Sequence, residues 1–118
     1  MNILHVPLIP GVILSREGSG VWAHNRSSVP IFVNSPTLDV PNSRTFSVFR
    51  IPPGFSMQIF SWDLAAVYAG LRDPACYDGP FDPHSVRLSL GKGWGAGYGR
   101  QYVECCPCWL EVMLLPGR

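Results

Sequence analysis

Ser85-Val86-Arg87-Leu88-Ser89-Leu90 alternates apolar and polar residues, the period of a half-buried β-strand. It runs into Gly91-Lys92-Gly93-Trp94-Gly95-Ala96-Gly97-Tyr98-Gly99-Arg100-Gln101, where glycine recurs at every second position from Gly91 to Gly99. Tyr102-Val103-Glu104-Cys105-Cys106-Pro107-Cys108-Trp109-Leu110-Glu111-Val112-Met113-Leu114-Leu115 follows, a β-rich run interrupted once by Pro107. Two strands and a glycine loop between them are therefore predicted. The glycines open backbone angles closed to other residues, at an entropic cost that packing must offset. Trp94 is the residue expected to pack down and pin the loop. Lys92 and Arg100 then stand on an exposed segment held by strands, the usual place for binding residues. An anion is the natural partner: arginine offers a fixed fork of donors, lysine a point charge, and the Tyr98 hydroxyl a neutral donor. The competing reading is a solvated loop whose cations meet only water.

The chain has 118 residues, the length of one domain. Only 14% of them are charged, against about 25% in ordinary soluble domains. So low a fraction predicts apolar surface that is covered by something else. A net charge of +1 argues against binding nucleic acid through a broad basic field. Twelve prolines and twelve glycines, spread between short apolar runs, favour a β-rich fold with many turns.

Cys105, Cys106 and Cys108 crowd into one short run, with Cys76 apart. They are too close together to staple distant segments, which argues for a reducing compartment. Cys105 and Cys108 have C-x-x-C spacing, but no second pair exists and His5, His24 and His84 lie far off in sequence. Packing as small hydrophobes is favoured over metal or redox chemistry. The apolar start, Met1 to Leu14, lacks a basic leading region and is broken by Pro7 and Pro10, so it is not read as a signal peptide. No apolar run is long enough to span a membrane.

In chain order, Val12 to Leu14 and Val21 to Asn25 are predicted strands around a turn at Arg16 to Gly20. Pro30 to Asn34 is a third strand, and Thr37 to Arg44 an irregular surface segment. Thr45 to Ile51 alternates as a strand, placing Phe46, Val48 and Arg50 on one face. Pro52-Pro53-Gly54 turns the chain into a strand from Phe55 to Phe60, with Phe55, Met57 and Ile59 sharing a face. Ser61 to Leu71 has helical spacing at Leu64, Val67, Tyr68 and Leu71, a stripe expected to pack. Ser61 is its N-cap, and Asp63 suits the positive end of the helix dipole. Asp78 and Asp82 are read as turn formers in Asp-Gly and Asp-Pro dipeptides and not as an acid–base pair. No G-x-G-x-x-G, P-loop or G-x-S-x-G pattern is present, so no catalytic residue, cofactor or metal is called for.

Lys92-Gly93-Trp94-Gly95, Tyr98, Arg100-Gln101 and Cys106-Pro107-Cys108-Trp109-Leu110-Glu111 resemble the C-terminal Mad-homology (MH2) domain of the Smad proteins. Ile31 to Asp39 and Ile51-Pro52-Pro53-Gly54 do so too. Val21 to Arg26, Asp78 to Pro83 and the doubled cysteine before Pro107 are most similar to the inhibitory Smads. The resemblance covers 11–118 and leaves 1–10 as a divergent leader. It implies a β-sandwich with a short helix, lacking the start of the domain on the N-terminal side. It also implies a signalling adaptor and not an enzyme, found in cytoplasm and nucleus. Such an adaptor restrains transforming-growth-factor-β or bone-morphogenetic-protein signalling, with effects on transcription. Its implied partners are type I receptor serine/threonine kinases, receptor-regulated or common-mediator Smads, and transcription factors, with no direct DNA contact and no membrane insertion. The implied receptor- and phosphoserine-binding residues are Lys92, Trp94, Tyr98, Arg100 and Gln101. Gly97 and Gly99 stand where relatives carry bulkier or charged residues. A transcriptional co-regulator that binds nuclear proteins through apolar sandwich surfaces is the alternative.

Overall fold

The computed structural model of the chain describes residues 5–40, 46–71 and 82–114. Cys76, Asp78 and most of the Asp/Pro/Gly-rich loop lie outside these residues. Among the described residues, eight strands form two four-stranded antiparallel sheets, accompanied by one α-helix. The first sheet has the order β1 (His5–Ile9), β2 (Val12–Glu17), β3 (Gly20–Asn25), β6 (Ser56–Ser61). The second has the order β5 (Phe49–Ile51), β4 (Ile31–Asn34), β7 (Ser85–Leu90), β8 (Trp109–Met113). Helix α1 spans Trp62–Leu71. This is the mainly β sandwich with a short helix that the sequence predicts. The β2–β3 hairpin is in its expected place, although its strands run on to Glu17 and start at Gly20. Residues 5–9, in the segment read as a divergent leader, pair with β2.

The two sheets face each other across one core. Val12, Leu14, Val21, Ala23, Ile59 and Phe60 come from the first sheet, and Ile31, Val33, Ile51, Val86 and Leu88 from the second. Each large aliphatic or aromatic side chain buried this way contributes roughly 1.5–3 kcal/mol. At one end Asn25 is fully buried, and its amide donates to the carbonyls of Val29 and Ile51, both at 2.9 Å. That ties the two sheets together through a polar group whose donors are satisfied.

Several elements differ from the sequence expectation for local reasons. The strand expected over Thr45 to Ile51 is confined to Phe49–Ile51. Upstream, side chains replace the ladder: the Ser47 N–H donates to Asp39 at 2.7 Å, and the Ser47 carbonyl accepts from the Asn34 amide at 2.9 Å. Within the irregular segment expected from Thr37, Pro36–Leu38 is a 3-10 turn and Thr37 is buried. In β6 the register shifts between Val21 and Trp22, which pair with Phe60 and Gln58. The bulge at Ile59 turns Phe60 inward beside it. Met57 and Ile59 pack on the core as expected, whereas Phe55 precedes β6 and is exposed.

Helix α1 starts where Ser61 predicts, with the Leu64 N–H donating to the Ser61 hydroxyl at 3.1 Å. Of the expected stripe only Tyr68 lies on its packed face. Trp62, Ala65 and Tyr68 turn inward, Ala65 being fully buried and the Tyr68 hydroxyl donating to the Asp39 carbonyl at 3.0 Å. Leu64, Val67 and Leu71 are 40–52% exposed. Ring contacts select the packed face: Trp62 meets Phe60 edge-on at 5.0 Å and is capped by the Arg16 guanidinium at 4.5 Å. Asp82 is a turn former as expected, accepting from the His84 N–H at 2.9 Å.

Candidate functional site

The glycine loop lies on the outer face of the second sheet, and the strand registers explain why. Arg50, Phe32, Ser89 and Trp109 are successive cross-strand partners in β5, β4, β7 and β8, so they form one row across that face. The loop is fastened to two members of the row. The Tyr98 ring meets Phe32 edge-on, with centroids 5.6 Å apart. The Ser89 hydroxyl donates to the Lys92 carbonyl. A second hydrophobic cluster forms beneath, made of Phe32, Trp94, Val103 and Cys106, with Val48 packed against it.

This cluster holds the loop in shape. Trp94 is 2% exposed, the anchoring role expected of it from sequence. Its burial stabilises by about 2–3 kcal/mol, enough to offset several glycines at roughly 0.5–1 kcal/mol each. Val103 is brought under Trp94 by a 3-10 turn over Val103–Cys105, where the sequence suggests strand. The turn forms because Val103 and Cys106 face this second cluster and not the sheet, and the Cys106 N–H closes on the Val103 carbonyl at 2.9 Å. Of the β-rich run expected from Tyr102, interrupted at Pro107, only Trp109–Met113 is strand.

The cysteines divide accordingly. Cys106 is buried and its thiol points at the carbonyls of Lys92 and Gly93, at 3.5 and 3.8 Å. Cys105 and Cys108 are exposed, so the small-hydrophobe reading holds for Cys106 and not for its neighbours. Among the described residues no group of three or more His, Cys, Asp or Glu side chains could hold a metal ion.

Above the cluster the loop closes on itself. The Gly95 N–H donates to the Arg100 carbonyl at 2.7 Å, and the Tyr98 N–H to the Gly95 carbonyl at 3.1 Å. Gly95 and Gly97 have φ of 91° and 89°, a region that other residues rarely adopt. Gly93 is required for a different reason: a Cβ there would lie 2.7 Å from the Tyr98 ring.

The predicted site residues thus occupy one loop in different roles. The Lys92 backbone is fixed by Ser89 and Cys106 while its side chain is exposed. Tyr98 is 45% exposed with one edge on Phe32. Arg100 is half-buried, Gln101 is exposed, and Trp94 lies below them all. Neither Lys92 nor Arg100 forms an ion pair among the described residues. The sequence does not single out Arg50 as a site residue, yet it is exposed directly beside Phe32 and therefore next to the loop. Its only sequence signal is the alternation with Phe46 and Val48. Both of those side chains approach the loop at Gly95, at 3.3 and 3.5 Å from where a Cβ would stand. The result is a rooted loop with an exposed Lys92, a half-buried Arg100, a partly exposed phenol and glycine-lined backbone.

A family model for the MH2 domain matches residues 6–115, which includes the whole loop. The chain belongs to the MH2 domain family. This MH2 domain is 50% identical over 108 residues to "Mothers against decapentaplegic homolog 6" of Gallus gallus, covering 92% of the chain and 25% of that protein. It is 46% identical over 103 residues to "Mothers against decapentaplegic homolog 7" of Homo sapiens, covering 87% of the chain and 24% of that protein. "Dwarfin sma-3" of Caenorhabditis elegans is 34% identical over 96 residues, covering 76% of the chain and 24% of that protein. The chain thus spans about a quarter of the length of these relatives. Among the described residues no helix is long and apolar enough to cross a membrane.

Proposed function

We propose that this MH2 domain is a phosphoprotein-binding adaptor module that restrains transforming-growth-factor-β or bone-morphogenetic-protein signalling. It binds an activated type I receptor serine/threonine kinase, or a receptor-regulated or common-mediator Smad, and does not pass the signal on. Such partners place it in cytoplasm and nucleus, with its effect on transcription exerted through them and not through DNA. The observation that carries this reading is the loop itself. Its backbone is fastened to Ser89, Phe32 and Cys106, while Lys92 and Arg100 keep cationic heads without an ion pair among the described residues. Pre-organised cations of that kind suit a phosphate, because the loop loses little freedom on binding. Similarity to the homolog 6 and homolog 7 proteins supports the inhibitory branch of the family.

Titration of a phosphorylated type I receptor cytoplasmic domain against the wild-type chain and Lys92→Ala/Arg100→Ala tests it. Charge-assisted hydrogen bonds to phosphate are worth about 1.5–3 kcal/mol each, so the double variant should bind at least about 100-fold more weakly while keeping its circular dichroism spectrum. Equal binding by a folded double variant overturns the proposal.

A further inference from the structure

Strand β8 is the outer strand of the second sheet, and among the described residues no strand pairs with its far edge. In an antiparallel ladder only alternate residues bond a given neighbour. The Leu90 N–H donates to the Cys108 carbonyl and the Leu114 N–H to the His84 carbonyl, both at 2.9 Å, so Leu110 and Val112 between them also bond β7. Trp109, Glu111 and Met113 therefore turn their N–H and C=O groups to the open edge. Their side chains share the outer face and are exposed, Trp109 by 40% and Met113 by 53%. On the other face Leu110, Val112 and Leu114 pack on the core but are only partly buried. Natural edge strands are commonly guarded by lysine, proline or a bulge. Trp109–Met113 contains no lysine or proline, and its register with β7 is unbroken.

Glu111 gives this edge a chemical preference. Its Oε2 accepts from the Ser85 hydroxyl and lies 3.6 Å from Arg87 Nε. The carboxylate is thus held in place, and among the described residues no hydrogen bond reaches Oε1. We propose that β8 accepts an extended antiparallel strand of a partner protein, one that carries lysine or arginine opposite Glu111 and apolar residues beside it. The outward N–H and C=O groups supply main-chain hydrogen bonds, and the alternate side chains supply selectivity. One face of the incoming strand extends the core beside Leu110 and Val112, and the other covers Trp109 and Met113. A second copy of this chain fits less well. Antiparallel pairing of β8 with itself over all three outward residues sets Glu111 against Glu111, and like charges directly opposite are destabilising. None of this depends on phosphate binding by the glycine loop.

Fluorescence-anisotropy titration of the full 118-residue chain decides it. The probes are short labelled peptides with valine at the inward positions and isoleucine, lysine and isoleucine at the positions that face Trp109, Glu111 and Met113. The lysine peptide should bind about five-fold tighter than its glutamate counterpart, and Glu111→Lys should reverse that order. N-methylation of the isoleucine and lysine amides, which face β8, should abolish binding by the native chain. N-methylation of the valine amides, which face away, should leave it within about two-fold. Binding that ignores which edge is methylated, or which charge stands opposite Glu111, overturns the proposal, as does the lack of saturable binding. Sedimentation equilibrium of the chain alone should show a monomer. A dimer that the peptides do not dissociate overturns the proposal in favour of a second copy.

Discussion

The Tyr98 ring stands edge-on to Phe32, with centroids 5.6 Å apart and planes at 79°. Phe32 belongs to β4 in the middle of the second sheet, and Tyr98 to the tip of the glycine loop, so this pair registers a glycine-rich backbone against a rigid one. Gly93 makes the pair possible, since a Cβ there would sit 2.7 Å from Tyr98 ring atoms. Gly93→Ala should swing the exposed phenol away. Stability should fall by only about 0.5–1.5 kcal/mol, the worth of an aromatic pair. The Phe32–Tyr98 ring-proton cross-peaks should vanish, and phosphoserine-peptide affinity should drop about ten-fold. Retained cross-peaks would show that Tyr98 is not held by this contact.

Trp94 carries the opposite balance. It is buried among Phe32, Val103 and Cys106, away from any ligand that approaches from solvent. Trp94→Ala should cost about 3–5 kcal/mol in urea unfolding followed by circular dichroism. A loss below about 1 kcal/mol would mean that the loop does not depend on the second cluster.

Arg50 is the cation that strand pairing adds to the loop. It is exposed and outside every ion pair found among the described residues, so Arg50→Ala should change stability by no more than about 0.5 kcal/mol. If Arg50 shares the bound phosphate, affinity falls about ten-fold and its dependence on salt becomes shallower. Unchanged affinity and salt dependence would remove Arg50 from the site.

These residues show how far the amino-acid sequence alone reaches. The proposed anion preference of the loop is read from Lys92, Arg100 and Tyr98 among glycines, and Trp94 reads as its anchor because a flexible loop needs one. A β-rich fold follows from short strands separated by proline and glycine turns, and the sandwich from the resemblance to the MH2 domain. Arg50 escapes because its place depends on pairing with Phe32, a register that no local pattern encodes. The packed face of α1 escapes for a related reason. Helical spacing marks Leu64, Val67, Tyr68 and Leu71, but contacts with Phe60, Arg16 and Asp39 keep only Tyr68 of these on the packed face and add Trp62 and Ala65. The 3-10 turn at Val103 is hidden because valine and cysteine suit a strand equally well, and only the second cluster decides between them.

Asp39 supplies a test by pH. Burial raises its pKa above the ordinary 3.8, opposed by hydrogen bonds from the Ser47 N–H and the Asn34 amide. A raised carboxyl pKa means that the folded state binds the proton more tightly than the unfolded state. The contribution of Asp39 to stability is therefore greatest below about pH 3.8 and declines as pH rises through the folded-state value. Asp39→Asn cannot titrate, so it should lack this component. The stability of the native chain minus that of Asp39→Asn, from urea titrations at half-unit steps between about pH 3 and pH 7, should fall as pH rises and then level off. A difference that grows with pH would mean that the two hydrogen bonds outweigh burial and hold the carboxylate charged. That outcome would make the link from Asn34 through Asp39 to Ser47 an ionic clasp behind the Phe46–Val48 wall of the loop.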